Sequence, residues 1–148
     1  MTDADLIIRD AASDDIESIM ALENGSIEHP WSRESISDLI SDKNKLCLVT
    51  EMGGKVVCYV GAETVLDECN IGNLVTDKDY RGMGLGTGLM SYLMEELARR
   101  GIRKTFLEVE SNNVPAIALY EKLGFERYGQ RQGYYGPGKD AILMTKEL

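Results

Sequence analysis

The sequence predicts an α/β sandwich built on a mixed β-sheet. Strand and helix patterns alternate in the second half of the chain, whereas the middle has the pattern of an antiparallel meander. A length of 148 residues suits one domain with a substantial core, and no repeat, low-complexity segment or linker interrupts it. We therefore expect residues 1–148 to form a single domain.

The first half of the chain combines helical and strand patterns. In chain order, the predicted elements are a strand at 5–9, helices at 13–25 and 31–40, and an antiparallel hairpin of strands at 45–51 and 56–65. Asp14 is the expected N-cap of the first helix, and Gly25 is its expected end. Apolar residues of the second helix fall on one face, as in a helix that covers a sheet.

The second half alternates strands and helices around a glycine-rich loop. The predicted elements are strands at 68–76, 104–110 and 140–148, a helix between the loop and Gly101, and a helix at 112–124. Gly72 interrupts the strand before the loop, so we expect that strand to bend away from its neighbour and open a slot in the sheet. The segment at 134–138 reads as a turn-rich loop before the last strand.

Charge limits the classes of partner. Sixteen basic residues against twenty-five acidic residues give a net charge of −9, which argues against a nucleic-acid-binding protein. An acidic surface speeds encounters with basic peptides, so a cationic protein partner is compatible with this charge. Plain solubility is the alternative explanation of the same charge.

The cysteines and the apolar runs indicate the compartment. The three cysteines are too far apart for a close-set metal motif, so we expect reduced thiols that pack as small hydrophobes, and no metal site. The start of the chain is acidic and lacks the apolar run of a signal peptide. No apolar stretch approaches the length of a membrane span. These features predict a cytoplasmic protein that does not bind membranes.

The glycine-rich segment at 81–88 predicts an anion-binding loop. Its spacing fits neither the dinucleotide fingerprint nor the Walker loop, because the last required glycine and the required lysine are missing. The remaining pattern is a strand, a glycine loop and a long helix, whose amides and N-terminus suit a pyrophosphate recognised by main-chain atoms, as in coenzyme A. A tight strand-to-helix turn without a ligand is the alternative.

Four segments of the chain resemble one known family. The loop Arg81-Gly82-Met83-Gly84-Leu85-Gly86 resembles the acyl-CoA loop of the GNAT (Gcn-five-related) N-acetyltransferases. The segment at 107–125 resembles the signature of the RimI-type members, and those at 29–32 and 134–144 match two further segments of that group. The resemblance implies a mostly antiparallel sheet with splayed strands that hold acetyl-CoA. It also implies acetyl transfer to the N-terminal alanine of a basic ribosomal protein, bS18.

The resemblance assigns roles in cofactor binding and catalysis. It implies that the backbone of the strand before the loop binds the pantetheine arm and the acetyl carbonyl. The implied cofactor-binding residues are Leu74, Val75, Thr76, Arg81, Gly82, Met83, Gly84, Leu85, Gly86, Thr87 and Asn113. Glu108 falls on the family's proton acceptor, and Tyr120 falls on its proton donor. Without the resemblance, a solvated strand carboxylate and a core tyrosine are the alternatives at these two positions.

Aromatic residues are the candidates for binding the acceptor. We expect three aromatic residues to surround the acceptor peptide: Trp31, Tyr134 and Tyr135. Ordinary packing is the alternative role for each of them. Glu110 and Asn112 depart from the arginine and serine frequent in bacterial relatives, which leaves the acceptor less defined than the reaction. Two alternative functions remain. One is acetyl transfer to another acceptor amine, and the other is that of an acyl-CoA-binding module without catalysis. The sequence does not predict an oligomeric state.

Overall fold

The computed structural model describes residues 6–148, so the first residue of the strand predicted at 5–9 lies outside the described residues. Its strands are β1 (Leu6–Asp10), β2 (Lys45–Met52), β3 (Lys55–Val65), β4 (Glu68–Thr76), β5 (Lys104–Glu110), β6 (Glu126–Gly136) and β7 (Lys139–Glu147). They form one seven-stranded sheet in the order β1-β2-β3-β4-β5-β7-β6. Only β4 and β5 pair in parallel, so the sheet is mixed and mostly antiparallel.

Helices cover both faces of the sheet. They are α1 (Ile16–Ser26), α2 (Arg33–Ser41), α3 (Leu85–Arg99) and α4 (Val114–Lys122). The larger hydrophobic core lies under α3 and α4, where Leu89, Leu93 and Leu97 of α3 are fully buried. A second core lies under α1 and α2 on the opposite face, and it includes Ile19 and Ile36. The α/β sandwich predicted by the alternating patterns is confirmed.

The sheet splits between β4 and β5. The parallel pairing covers only Glu68–Asn70 against Lys104–Phe106, after which the two strands separate. On its other side β4 carries a bulge, because Val60 pairs with Leu74 while Ala62 pairs with Ile71. A Cβ on Gly72 would lie 3.3 Å from the Gly61 carbonyl oxygen, so the close approach of the two backbones favours glycine there. The slot expected at Gly72 is therefore present.

Three local predictions are wrong, and two of them concern the cap and the end of the first helix. A short 3-10 turn at Ser13–Asp15 precedes α1, and the helix continues through Gly25 to Ser26. Asp15, rather than Asp14, accepts a bond of 2.7 Å from the Ala12 N–H. Arg9 of β1 holds this carboxylate by an ion pair of 2.7 Å, a contact between separate elements that the local helix pattern does not contain.

The segment predicted as a turn-rich loop belongs to β6, which reaches Gly136. β6 lies at the edge of the sheet, and all of its residues except Gly136 are exposed. An exposed edge strand has no alternation of buried and polar residues, so it lacks the usual strand pattern. The turn itself is confined to Pro137-Gly138, between β6 and β7.

The cysteines lie in the core. Cys47, Cys58 and Cys69 are buried free thiols, and burial raises their pKa values to about 12, about 11 and about 12. This agrees with their predicted role as small packing residues. Among residues 6–148, no helix combines the length and apolar character needed to cross a membrane.

Candidate active site

A cleft of about 650 Å³ opens where β4 leaves β5, between the N-termini of α3 and α4. It is lined by the residues that the sequence assigns to the cofactor, with one exception: Leu74, Val75, Thr76, Arg81, Gly82, Gly84, Leu85, Gly86, Thr87 and Asn113. Met83 is half exposed and does not line the cleft. The fold therefore gathers the cofactor residues predicted from two distant segments.

The glycine loop presents main-chain groups to this cleft. Gly82 and Gly84 have φ values of +80° and +77°, a left-handed conformation that glycine adopts without steric cost. Gly84 is the N-cap of α3, so the free N–H groups of the first turn of α3 begin at the loop. Arg81 donates a bond of 2.8 Å to Ser26 Oγ, which ties the loop to α1. This arrangement suits a pyrophosphate bound by amides and a helix N-terminus.

The strand that borders the cleft offers its backbone. Val75 is buried in the core under α1 and α2, so its side chain points away from the face that carries α3 and α4. Because β5 no longer pairs with β4 beyond Asn70, the main-chain groups of Leu74–Thr76 on that side have no strand partner among residues 6–148. These groups can bond the amides and the carbonyl of an extended ligand, and the Thr76 carbonyl also accepts a bond of 3.4 Å from Arg81 Nε. The residues present thus fit the pantetheine arm of acetyl-CoA.

The two glycines of α3 provide a matched test of this cleft. A Cβ on Gly86 would lie 3.3 Å from Leu119 Cδ1, 3.6 Å from Leu74 Cδ2 and 3.8 Å from Thr76 Oγ1, all on cleft-lining residues. We expect Gly86→Ala to raise the KM for acetyl-CoA about tenfold, because the methyl group narrows the channel. Gly88 is exposed and its Cβ would meet nothing within 4 Å.

Gly88→Ala should therefore leave the KM for acetyl-CoA unchanged and stabilise the helix by about 0.5–1 kcal/mol. Steady-state kinetics and thermal unfolding of both variants check the pair. Equal values of KM in the two variants would contradict the position of the cofactor.

Tyr120 of α4 lines the cofactor cleft. Its ring is buried and packs edge-on against Phe125, with 5.8 Å between ring centroids. No hydrogen bond to its hydroxyl occurs among the described residues. Burial, with a smaller effect of Tyr135, raises the pKa of Tyr120 to about 12, so the phenol is protonated and able to donate at neutral pH.

Asn113 both caps α4 and lines the cofactor cleft. It is the N-cap of α4, and its side-chain oxygen accepts a bond of 3.3 Å from the Ala116 N–H. It also lines the cofactor cleft beside Pro115 and Ala116. Its position is thus compatible both with the implied contact to the cofactor and with capping of α4.

A groove of about 600 Å³ lies along the split on the face that carries α1 and α2. It brings together the predicted base and all three predicted acceptor residues: Glu108, Trp31, Tyr134 and Tyr135. The Glu108 side chain is 33% exposed, and its Oε1 lies 3.9 Å from Arg131 Nη1. A pair so long and so accessible to water contributes little to stability, so the carboxylate remains available to a ligand.

The groove and the cofactor cleft adjoin at β4. Asn73 lines the groove, while the next residue, Leu74, lines the cofactor cleft. Burial, and after it the negative charge of Glu108, raises the pKa of Tyr135 to about 12. Glu108 lines the groove, and Tyr120 lines the cofactor cleft. The fold therefore places a carboxylate and a phenol on either side of one opening.

Sequence reasoning missed a buried carboxylate behind the groove. Glu23 of α1 is fully buried and accepts bonds from the Trp31 N–H at 3.0 Å, from Asn73 Nδ2 at 2.9 Å and from the Tyr59 hydroxyl. Burial and the bond to Glu23 raise the pKa of Tyr59 well above its usual range, so its hydroxyl stays a donor. Glu23 follows Ile19 by four residues, on the apolar face of α1, and that position is the signal that could have revealed it.

Glu23 thereby connects two walls of the groove. Trp31 and Asn73 both line the groove, one from the segment before α2 and the other from the bulge of β4. Three bonded donors satisfy the buried carboxylate without a cation. In the described part of the chain, no cluster of three His, Cys, Asp or Glu side chains could hold a metal ion.

Comparison with known proteins identifies the family. Residues 15–125 match the family described as acetyltransferase (GNAT) family. The chain is 34% identical to the ribosomal protein bS18-alanine N-acetyltransferase of Escherichia coli over 134 residues, which cover 88% of this chain and 90% of that protein. It is 32% identical to the enzyme of the same description from Salmonella typhimurium, with the same coverage.

A solved structure agrees with the sequence comparison. The crystal structure of the ribosomal-protein-S18-alanine N-acetyltransferase from Escherichia coli superposes with a TM-score of 0.89 at 32% identity, over 96% of this chain and 93% of that one. The fold, the family match and the relatives agree on one kind of enzyme. The chain belongs to the acetyltransferase (GNAT) family and is an acetyl-CoA-dependent N-acetyltransferase.

Proposed function

We propose that the chain transfers the acetyl group of acetyl-CoA to the N-terminal α-amine of a protein, and that the N-terminal alanine of ribosomal protein bS18 is its acceptor. The observation that carries the reaction is the position of Glu108 and Tyr120 on opposite sides of one opening in the sheet. The identity of the acceptor is supported by relatives whose names specify that alanine.

The residues suit a direct attack of the amine on the thioester. Glu108, directly or through one water molecule, takes the proton that the α-ammonium group must lose. Main-chain N–H groups of β4 beyond Asn70 stabilise the carbonyl oxygen as it gains charge. As the C–N bond forms and the C–S bond breaks, Tyr120 gives its proton to the leaving sulfur. The nitrogen loses its second proton to water, and Tyr120 regains a proton from solvent. No step requires a covalent bond to the protein, and the three cysteines are buried with raised pKa values that disfavour a nucleophilic thiolate.

Tyr120→Phe tests the role of the acid. We expect this variant to lower kcat about tenfold, a modest loss because a thiol has a pKa of about 8.5 and leaves readily even without a proton. The KM for acetyl-CoA should stay within about twofold, because phenylalanine keeps the buried ring. Single-turnover kinetics check the loss. A variant with the wild-type rate would leave Tyr120 as a packing residue.

A different acceptor amine is the second candidate function. The groove contains acids and a base, Glu68, Glu108 and Arg131, so its charge admits more than one kind of ligand. Glu110 and Asn112, which depart from the family pattern, do not line the groove. Any effect they have on the choice of acceptor must therefore act from outside the lining residues.

A peptide panel tests the proposal. Release of free CoA is measured with short peptides that differ only in their first residues, together with a lysine-containing peptide whose N-terminus is blocked. We expect activity only with free N-termini, and the highest kcat/KM with alanine. Activity on the blocked peptide would show a lysine acceptor. If the chain bound acetyl-CoA but released no free CoA with any of the peptides, it would be a binding module.

A further inference from the structure

The aromatic edge of the groove is formed by a large bulge in β6. Arg131 pairs with Ala141 and Gly136 pairs with Lys139, so the four residues 132–135 of β6 face the single residue Asp140 of β7. Tyr134 and Tyr135 belong to these four residues and therefore stand outside the regular ladder. A bulge of this size loses ladder bonds and needs other partners to keep one shape.

Asp140 supplies those partners. Its Oδ1 accepts a bond of 2.8 Å from the Gly133 N–H, and its Oδ2 accepts one of 2.8 Å from Gln130 Nε2. Its main-chain carbonyl accepts a bond of 2.8 Å from the Ser111 N–H, just beyond the end of β5. Gly133 has a φ of +63°, so the bonded N–H belongs to the residue at which the bulge turns.

The bulge sets the positions of both tyrosines. Their rings pack edge-on with 5.0 Å between centroids, and the Arg131 guanidinium lies 5.4 Å from the centroid of Tyr134. Both tyrosines line the groove together with Glu108. A change in the main chain at Gly133 would therefore move the wall that faces the predicted base.

We infer that Asp140 is a positioning residue of the acceptor groove: by fixing the Gly133 main chain, it holds Tyr134 and Tyr135 against Glu108 and thereby sets the affinity for the acceptor. This inference rests on the proposed function, because the groove is the acceptor site only if the amine enters there. Asp140 itself is absent from the lining of the groove, so it acts through the bulge and not through the ligand.

Three variants separate positioning from other effects. Asp140→Ala removes both side-chain acceptors, and we expect it to raise the KM for an alanine-starting peptide about tenfold. The KM for acetyl-CoA should not change, since the cofactor cleft does not include the bulge. Asp140→Asn should restore most of the affinity, because its Oδ1 still accepts from Gly133 and the Gln130 amide can turn to accept from its Nδ2. Gln130→Ala should resemble the wild type in both values of KM.

Amide hydrogen exchange at Gly133 gives a readout that needs no acceptor. We expect faster exchange in Asp140→Ala and protection near the wild-type level in Asp140→Asn. Three results would overturn the inference while the proposed function stands. They are an unchanged peptide KM in Asp140→Ala, an equal rise in the KM for acetyl-CoA in that variant, or no recovery of the peptide KM in Asp140→Asn. A wild-type chain that acetylates no peptide, although exchange at Gly133 responds as expected, would overturn the proposed function and this inference with it.

Discussion

Replacing Glu108 with glutamine is expected to lower kcat/KM for peptide acceptors about a hundredfold below pH 8. Glutamine keeps the size of the side chain but cannot take a proton, and positioned general bases contribute about 10²–10⁴ in rate. An N-terminal amine has a pKa of about 8, so below that pH most of the acceptor is ammonium and must lose a proton. Above it the amine is already neutral, and the loss should shrink.

The pH profile of kcat/KM checks this prediction. Glu110→Gln is the matched control, because Glu110 lies on the same strand two residues away but does not line the groove. We expect its profile to follow that of the wild type. A Glu108→Gln profile that keeps the wild-type shape would remove Glu108 from the role of base.

Replacing Glu23 with alanine is expected to lower the free energy of unfolding by about 3 kcal/mol or more. Three donors would lose their shared acceptor in the interior, and each unsatisfied buried group costs about 1–3 kcal/mol. For a chain of this size, 1 kcal/mol corresponds to about 2–4 °C, so Tm should fall by about 6 °C or more. Glu23→Gln keeps one oxygen acceptor and should lose less.

Urea unfolding of the variants measures the effect. Glu34→Ala is the control, because Glu34 is an exposed glutamate in the first turn of α2, and we expect a change within about 0.5 kcal/mol. If Glu23→Ala lost no more stability than Glu34→Ala, the buried carboxylate would not be holding the donors together.

Elements with a strong local signal could be predicted from the sequence. The strands predicted at 68–76 and 104–110 have the same bounds as β4 and β5 in the structure. Each could be predicted because turn residues border it and its residues alternate between buried and less buried positions. Gly72 indicated the split, since a glycine inside a strand marks a bulge or a close backbone contact. The glycine loop is a local motif as well, and its conformation follows from left-handed glycines that directly precede a helix.

Features that depend on contacts between distant segments could not be predicted in this way. Glu23 and Asn73 are 50 residues apart in the chain, so their bond appears only in the folded protein. The bulge opposite Asp140 depends on how β6 pairs with β7, and an exposed edge strand carries no pattern that fixes its register. The resemblance assigned Glu108 and Tyr120 to one site, but their positions in two adjoining pockets are a property of the fold.

The acetylated position in a two-amine peptide tests the central claim most directly. A single peptide with a free N-terminal alanine and an internal lysine is incubated with the chain and acetyl-CoA, and fragmentation mass spectrometry locates the acetyl group. The proposed function predicts acetylation of the alanine α-amine alone. Acetylation of the lysine side chain, with the α-amine left free, would contradict it.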